Sequence, residues 1–311
     1  MKYDAIVIGC GMSGILAGIH LKNSGKKFII LEKAGNQGGT WRDNTYPGLT
    51  CDVPSHAYTY SFEPNPEWSR VLPPGGEIQQ YFQAVFDKYG IAEYVRFGTE
   101  IAGAVWKGDA WELKDQRGQS YQGSVVVAAT GVLHHPNYPQ IKGLEDFGGH
   151  VIHSARWDHS VPLDAKKIAI IGTGSTGVQI VSALAARSKV RHFQRTAQWI
   201  FPVENPAFTE EQRAEFRSNR DLLTYLQREP TYLANVERFT EAILDPNSEQ
   251  IREIQKLCQD NLDGSIQDPV LRQKLQPHYR AGCKRLIYSP DYYKAIQQPD
   301  SELITDGISQ I

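Results

Sequence analysis

Two stretches of the chain combine a short apolar run with apolar residues at helical spacing. Residues 5–14 have the sequence AIVIGCGMSG, and residues 168–177 have the sequence IAIIGTGSTG. In each stretch a β-branched run, typical of a buried parallel strand, leads directly into the pattern G-x-G-x-x-G. A helical pattern follows each turn, and further strands are predicted at 27–32 and 189–195. The chain is therefore expected to contain two βαβ units, each with a glycine-rich turn.

Glycine-rich turns in this context have a specific physical use. The first glycine permits a tight turn, the second lets the backbone approach a pyrophosphate, and the third lets the helix pack closely on the strand. Glycines in a turn can instead serve packing alone. Two such turns in full βαβ context favour two dinucleotide-binding sites over that alternative.

The residue that ends the second strand differs between the two units. Glu32 stands 18 residues after Gly14, where a carboxylate accepts hydrogen bonds from a ribose 2′-hydroxyl. Arg195 stands 18 residues after Gly177, where a guanidinium suits a 2′-phosphate. The alternative for Arg195 is a solvated charge at the end of a strand. Taken together, the two residues favour FAD in the first unit and NADPH in the second.

The pattern of hydrophobic and polar residues is different outside the two βαβ units. Residues 34–75 are rich in Gly, Pro and aromatic residues and predict a long loop, and residues 77–90 predict an amphipathic helix. A buried strand is expected at 124–129 and a proline-bearing linker at 132–165. Residues 207–282 are dense in Glu, Gln and Arg with spaced Leu and Tyr, which predicts helices with solvated faces.

The predicted fold class is α/β, with two Rossmann-like dinucleotide-binding domains, one for FAD and one for NADPH, and a helical insertion in the second. We expect the N-terminal part of the FAD-binding domain at residues 1–145. A linker is expected at 146–165, and the NADPH-binding domain at 166–311 with its helical insertion at 207–282.

Composition and charge narrow the classes of function. The chain has 311 residues, 41% of them hydrophobic, which suffices for two globular domains. With 33 basic and 35 acidic residues, the chain is expected to have no overall attraction to nucleic acid. No apolar run approaches the length of a membrane span, and the first predicted strand starts close to Lys2. We therefore expect a cytoplasmic protein without a membrane span or signal peptide.

The cysteines are scattered along the chain. Cys10, Cys51, Cys258 and Cys283 form no C-x-x-C pair. This spacing argues against a disulfide scaffold, a zinc site and a dithiol redox centre, and no metal site is expected.

The linker contains a pattern that is specific to one family. Residues 147–158 have the sequence FGGHVIHSARWD and fit F-x-G-x-x-x-H-x-x-x-W-[PD]. This is similar to the fingerprint of the type I Baeyer–Villiger monooxygenases, FAD- and NADPH-dependent flavoproteins in which a glycine motif stands on each side of the fingerprint. Further matches are GGTW at 38–41, YPG at 46–48, CD at 51–52, ATG at 129–131, QRT at 194–196 and KRL at 284–286. The chain resembles this family over essentially its whole length.

The resemblance implies roles for particular residues. FAD would be held by Gly9, Gly11, Ser13, Gly14, Glu32, Gly39, Thr40, Trp41, Asp52, Tyr58 and Ile101. NADPH would be held by Thr173, Gly174, Ser175, Thr176, Arg195, Thr196 and Lys284. Arg285 would be the catalytic cation and Asp52 the carboxylate that orients it. Spacing alone would make Arg285 an ordinary surface cation and Asp52 a turn former. His153 and Trp157 of the fingerprint are assigned no chemical step.

The same resemblance implies an activity. NADPH and O2 would convert a small-molecule ketone to an ester or lactone through a flavin-peroxide intermediate. One alternative is a flavin monooxygenase that hydroxylates nitrogen or sulfur, against which Trp157 and the pair of Asp52 and Arg285 speak. Another is a non-catalytic dinucleotide-binding fragment. Members of the family are longer, so we expect a second polypeptide or a missing C-terminal segment to complete the FAD domain.

Overall fold

The structure is a computed structural model that describes residues 2–228 and 230–311, with side chains described outside 230–235. Two compact units make up the chain. Unit 1 comprises Met1–Thr45 and Gly75–Tyr138, and unit 2 comprises Tyr46–Pro74 and Pro139–Ile311.

Unit 1 is built on a sheet with strand order β3-β2-β1-β6-β5-β4. The strands β1, β2, β3 and β6 pair in parallel, whereas β4, β5 and β6 pair antiparallel. The elements in chain order are β1 (Lys2–Ile8), α1 (Met12–Asn23), β2 (Phe28–Leu31), α2 (Thr40–Asp43), α3 (Gly75–Lys88), β3 (Val95–Arg96), β4 (Ile101–Trp106), β5 (Trp111–Asp115) and β6 (Ser120–Ala128). All four residues of β2 are buried, as expected for a strand with neighbours on both sides. The first predicted βαβ unit is confirmed.

Helix α3 covers part of unit 1 with its apolar face. Its buried side chains repeat at intervals of one, three or four residues, which places them on one side of the helix. They are Ile78, Tyr81, Phe82, Val85 and Phe86. The predicted amphipathic helix is therefore present, two residues closer to the N-terminus than expected.

Unit 2 contains a parallel sheet of strand order β11-β8-β7 and a parallel pair β10-β9. The elements in chain order are β7 (Lys167–Ile171), α4 (Ser175–Leu184), β8 (Lys189–Phe193), β9 (Ile200–Phe201), α5 (Glu210–Ser218), α6 (Arg220–Gln227), α7 (Pro230–Leu244), α8 (Glu249–Ser265), α9 (Pro269–Leu275), β10 (Ile287–Tyr288), α10 (Tyr292–Ile296) and β11 (Ser301–Ile304). Side chains of α4, β8, α10 and β11 share one buried cluster. The second βαβ unit is thus formed by β7, α4 and β8.

Helices α5 to α9 occupy the chain between β9 and β10, within the range predicted as helical. Residue 229, which falls in that range, lies outside the described residues. Side chains cap the N-termini of four of these helices by accepting a backbone N–H of the first turn. The caps are Thr209, Asn219, Ser248 and Asp268.

The segment 46–74 groups with unit 2, although the sequence places it inside the predicted FAD-binding domain. Hydrogen bonds explain this grouping. The side chain of Asn205 accepts the N–H of Leu72 at 2.7 Å, and Phe208 donates its N–H to the carbonyl of Ser69 at 2.9 Å. The segment is therefore tied to the chain that follows β9, and the functional domain boundaries stay a prediction.

No helix in the described part of the chain is both long enough and apolar enough to cross a membrane.

Candidate functional site

The glycine-rich turn of unit 1 lies between β1 and α1. Gly9 has a φ of +97°, and a Cβ built there would stand 2.5 Å from the carbonyl oxygen of Ala129. A Cβ at Gly14 would stand 2.0 Å from the carbonyl oxygen of Gly9. The first and third glycines of the motif are therefore required by the local packing of strand and helix.

The second glycine of this turn has a different environment. Gly11 is the N-cap of α1 and makes no side-chain capping bond, and Ser13 follows in the first turn. A Cβ at Gly11 would make only an ordinary contact of 3.7 Å with the Cα of Gly39. Gly39 has a φ of +55° and leads into Thr40 and Trp41, the first residues of α2. The N-terminus of α1 is thus bordered by two glycines.

Glu32 follows β2 and is 4% exposed. Its Oε2 accepts the backbone N–H of Cys10 at 2.7 Å, and its Oε1 accepts that of Ala34 at 2.9 Å. The carboxylate is therefore fixed beside the glycine-rich turn, because Cys10 stands between Gly9 and Gly11.

Arg42 supports Glu32 and was not predicted from the sequence. Its Nη1 donates to Oε1 of Glu32 at 3.3 Å and to the carbonyl of Asn36 at 2.8 Å. Its other donors bind both carboxylate oxygens of Asp43, at 2.8 and 3.1 Å. Burial lowers the pKa of Arg42, but the combined effect of Asp43 and Glu32 is larger and raises the pKa above its usual value. Its position directly after Trp41 in the GGTW match is the one signal that could have pointed to it.

The glycine-rich turn of unit 2 repeats this geometry. Gly172 has a φ of +113°, and a Cβ at Gly177 would stand 2.1 Å from its carbonyl oxygen. Gly174 is the N-cap of α4 without a side-chain capping bond, and a Cβ there would meet no atom within 4 Å. Ser175 and Thr176 form the start of the helix. The hydroxyl of Thr173 donates to the carbonyl of Thr196 at 2.9 Å, which joins this turn to the segment after β8.

The two glycine-rich turns differ from the starts of α5, α6, α8 and α9. Helices α1 and α4 have neither a side-chain cap nor an acidic residue in the first turn, whereas α5, α6, α8 and α9 are capped by side chains. Uncapped N–H groups and the positive end of the helix dipole attract anions. Both helix starts are therefore suited to a phosphate group.

The predicted residues Arg195 and Thr196 line a cavity of about 620 Å³ in unit 2. Its wall also includes Tyr279, whose ring lies 4.8 Å from Nζ of Lys284. Lys274 lines the same cavity and was not singled out from the sequence. Arg195 and Thr196 thus line the same cavity, and Lys284 lies against Tyr279 of its wall.

Asp52 and Arg285, 233 positions apart in the chain, form an ion pair in unit 2 through Oδ2 and Nη2. The side chain of Asp52 is 21% exposed and that of Arg285 is 72% exposed. A guanidinium has five N–H donors, and one carboxylate oxygen engages few of them. Within the described part of the chain, the pair therefore orients the guanidinium through one carboxylate oxygen and leaves donors for a further anionic group.

The remaining predicted residues are divided between the units. Ile101 begins β4 in unit 1, whereas Tyr58 lies in unit 2, where its backbone N–H is bonded to the carbonyls of Pro54 and Ser55. In the fingerprint, Nδ1 of His153 accepts the N–H of Ala155 at 3.1 Å. Trp157 packs against the core of unit 2. These contacts hold the two side chains of the fingerprint in place.

All four cysteines are free. Burial raises the pKa of Cys10, Cys51 and Cys258 to about 12, so these thiols stay protonated at neutral pH. Cys283 is exposed.

Sequence comparisons relate the chain to a family and to named relatives. Residues 6–219 match the family described as pyridine nucleotide-disulphide oxidoreductase. An uncharacterized monooxygenase of Mycobacterium tuberculosis is 45% identical over 283 residues, which cover 91% of this chain and 56% of the relative. A Baeyer-Villiger monooxygenase of Streptomyces coelicolor is 39% identical over 316 residues, which cover 98% of this chain and 59% of the relative. The chain thus spans less than two thirds of the length of these relatives.

Solved structures agree with the sequence comparisons. The open crystal structure of cyclohexanone monooxygenase matches with a TM-score of 0.84 and 28% identity, over 97% of this chain and 67% of that one. The crystal structure of OTEMO in complex with FAD and NADP matches with a TM-score of 0.84 and 28% identity, over 97% of this chain and 65% of that one. The comparisons give no support for a second polypeptide, and that expectation stays a prediction. The chain belongs to the pyridine nucleotide-disulphide oxidoreductase family, and the resemblance to the type I Baeyer–Villiger monooxygenases that its motifs indicated is confirmed.

Proposed function

We propose that this protein binds FAD and NADPH and uses them with O2 to convert a small-molecule ketone to an ester or lactone. The observation that carries the reaction class is the ion pair between Asp52 and Arg285, because it fixes a permanent cation with unused donors. Relatives named Baeyer-Villiger monooxygenase and cyclohexanone monooxygenase support the same reaction class.

The residues of unit 1 fit FAD. The uncapped start of α1 can receive the pyrophosphate. Gly11 and Gly39 have no side chains, so the approach to this helix start is open. A carboxylate has about four lone-pair positions, of which Glu32 uses three for Cys10, Ala34 and Arg42. The position that remains can accept a ribose hydroxyl. Ser13, Gly14, Thr40 and Trp41 adjoin this region, and Ile101 completes the proposed set of unit 1. Asp52 and Tyr58 belong to unit 2, and only the resemblance assigns them to FAD.

The residues of unit 2 fit NADPH. Thr173, Gly174, Ser175 and Thr176 form the open start of α4, which suits a pyrophosphate. Arg195 and Thr196 line the neighbouring cavity, and their chemistry suits the 2′-phosphate that distinguishes NADPH from NADH. Lys284 completes the proposed set through its position against Tyr279.

FAD and NADPH held by these residues would supply hydride transfer and the electrons that reduce O2. The role of Arg285 concerns the ketone, since attack on a carbonyl carbon develops negative charge on its oxygen. A guanidinium fixed in advance by Asp52 stabilises that charge without reorganising during the reaction. Asp52 contributes by orientation, because it engages one edge of the guanidinium and leaves the others for the substrate oxygen.

An absorbance scan after incubation with FAD, made on the chain together with the segment or polypeptide expected to complete the FAD domain, tests the first half of this proposal. NADPH consumption with and without cyclohexanone, together with chromatographic detection of lactone, tests the second half. We expect retained flavin, NADPH consumption and lactone that depends on all three reactants. Flavin retention with no lactone would refute the proposed reaction and leave cofactor binding in place. Failure to retain flavin would refute both.

A further inference from the structure

The cavity beside Arg195 has an unusual charge pattern for a protein whose formal net charge is −2. Its wall includes the basic side chains Arg195, Lys274 and His278, and no Asp or Glu stands among the residues that line it. Thr196 and Tyr279 add hydroxyl groups. A cavity with this lining attracts an anion and contains no carboxylate that would repel one.

Lys274 is held in place by contacts at both ends. The buried side chain of Gln194 donates its amide to the carbonyl of Lys274 at 2.6 Å, and Gln194 directly precedes Arg195. The ammonium of Lys274 donates to the carbonyl of Leu303 at 3.3 Å, at the end of β11. Residues 194 and 274 are therefore joined across 80 positions of the chain, and this places Lys274 beside the strand end from which Arg195 extends.

Only part of the bonding capacity of Lys274 is used by the protein. An ammonium group has three N–H donors, and the bond to Leu303 engages one of them. Lys274 is exposed and lines the cavity, whereas Gln194 is buried. Among the residues that the structure describes, two donors of the ammonium group remain for a ligand.

We propose that Lys274 is a specificity residue that acts together with Arg195 to select a 2′-phosphorylated adenine nucleotide. A phosphate monoester carries a charge of about −1.5 to −2 at neutral pH, which one guanidinium does not balance. Lys274 supplies a cation beside Arg195, in addition to the proposed Lys284, and its remaining donors bind phosphate oxygens. This inference rests on the proposed binding of NADPH and adds a residue to those assigned above.

Isothermal titration calorimetry of the 311-residue chain tests this role with two probes, adenosine 2′,5′-bisphosphate and adenosine 5′-monophosphate. The parent chain is expected to bind the bisphosphate more tightly. Lys274→Gln should lower the affinity for the bisphosphate about tenfold or more, as expected for loss of one charge-assisted contact. The affinity for the monophosphate should change less than about twofold, since it lacks the group that Lys274 contacts.

Two further variants separate this role from general effects of charge. Lys274→Arg retains the cation and should restore most of the preference for the bisphosphate. Lys256→Gln removes an exposed lysine that pairs with Asp260 on α8, and both affinities should stay at parent values. A thermal melt of each variant verifies that the chain is folded.

The outcomes distinguish this inference from the proposed function. If the parent prefers the bisphosphate and Lys274→Gln keeps that preference, Lys274 is a solvated charge and the inference is wrong, while NADPH binding stands. If the parent binds both probes equally, the proposed selection of NADPH is itself wrong, and the role of Lys274 is refuted with it.

Discussion

The side-chain amide of Gln179 donates to both the backbone carbonyl and the hydroxyl of Thr50, at 3.0 and 3.2 Å. Its oxygen accepts the hydroxyl of Tyr46 at 2.9 Å, and Thr176 donates to the same tyrosine oxygen at 3.3 Å. Gly48 fits closely against this helix, because a Cβ there would stand 2.5 Å from the carbonyl oxygen of Gln179. Helix α4 therefore anchors the chain that leads to Asp52.

Replacing Gln179 by Leu should loosen this anchored segment. The change leaves the hydroxyl of Tyr46 and the carbonyl of Thr50 without their partner, at a cost of about 1–3 kcal/mol for buried polar groups. We expect a lower free energy of unfolding and faster hydrogen exchange at residues 46–52. Denaturant unfolding and hydrogen-exchange mass spectrometry measure the two effects.

The control for this change is Gln116→Leu, at an exposed position in unit 1. It should alter neither the free energy of unfolding nor the exchange of residues 46–52. Unchanged exchange of that segment in Gln179→Leu would show that Gln179 does not anchor it.

Two glycines of the same turn should respond differently to alanine. Gly9→Ala places a Cβ 2.5 Å from the carbonyl of Ala129 at a φ of +97°, so unit 1 should unfold at a lower temperature or fail to fold. Gly11→Ala makes only a 3.7 Å contact, so the fold should persist. The added methyl group nonetheless occupies the approach to the start of α1, and flavin retention should fall sharply.

Thermal unfolding and the absorbance of retained flavin separate these effects. Gly25→Ala is a control for replacement of a glycine at positive φ that meets no neighbouring atom. Gly25→Ala should lower the unfolding temperature only by the effect of backbone strain at this position. If Gly11→Ala retained flavin at the parent level, the proposed FAD site at this turn would be wrong.

Local features of the sequence predicted the parts of the site that depend on local geometry. The turns at Gly9 and Gly172 follow directly from the order of strand, glycines and helix, and Glu32 and Arg195 follow from their spacing. The pair of Asp52 and Arg285 is 233 positions apart, and only resemblance to a family indicated it.

Other parts of the site depend on contacts that no local pattern encodes. Gln179 contacts Thr50 across 129 positions, and Gln194 contacts Lys274 across 80. These contacts arise when separate segments pack together. The same reason explains why the segment 46–74 was predicted in the first domain and packs in unit 2, since its partners lie on α4 and after β9.

Arg285→Ala should separate NADPH consumption from oxygen transfer to the ketone. Removing one preorganised donor of this kind lowers the rate by about a hundred- to a thousandfold. We expect flavin retention and NADPH oxidation near parent levels, with hydrogen peroxide released in place of ester. Quantifying ester and peroxide per NADPH consumed measures this shift.

Comparison with Asp52→Asn and Arg191→Ala refines the assignment. Asp52→Asn keeps the cation but weakens its orientation, so ester formation should fall less than in Arg285→Ala. Arg191 is an exposed arginine that pairs with Glu302, and its removal should leave the yield of ester per NADPH unchanged. Ester formed by Arg285→Ala at the parent rate would exclude Arg285 from the reaction.

His56 should make the stability of unit 2 dependent on pH. Its ring is 6% exposed, lies against Phe208 and Phe216, and has no hydrogen-bond partner for Nε2 among the described residues. Burial lowers the pKa of His56 from 6.5 to about 4, so the unfolded chain takes up a proton at a higher pH than the folded chain. The free energy of unfolding should therefore fall as the pH falls from about 6.5 to about 4, by about 3 kcal/mol in total.

Denaturant unfolding at pH 7 and pH 5 measures this effect of His56. The free energy of unfolding should be about 2 kcal/mol lower at pH 5 in the parent, and this difference should be absent in His56→Leu. Phe208→Leu disturbs the same cluster without removing the titrating group, so it should lower stability at both pH values and keep the difference between them. If His56→Leu and the parent lost the same free energy of unfolding over this range, the buried neutral state of His56 would not be the cause.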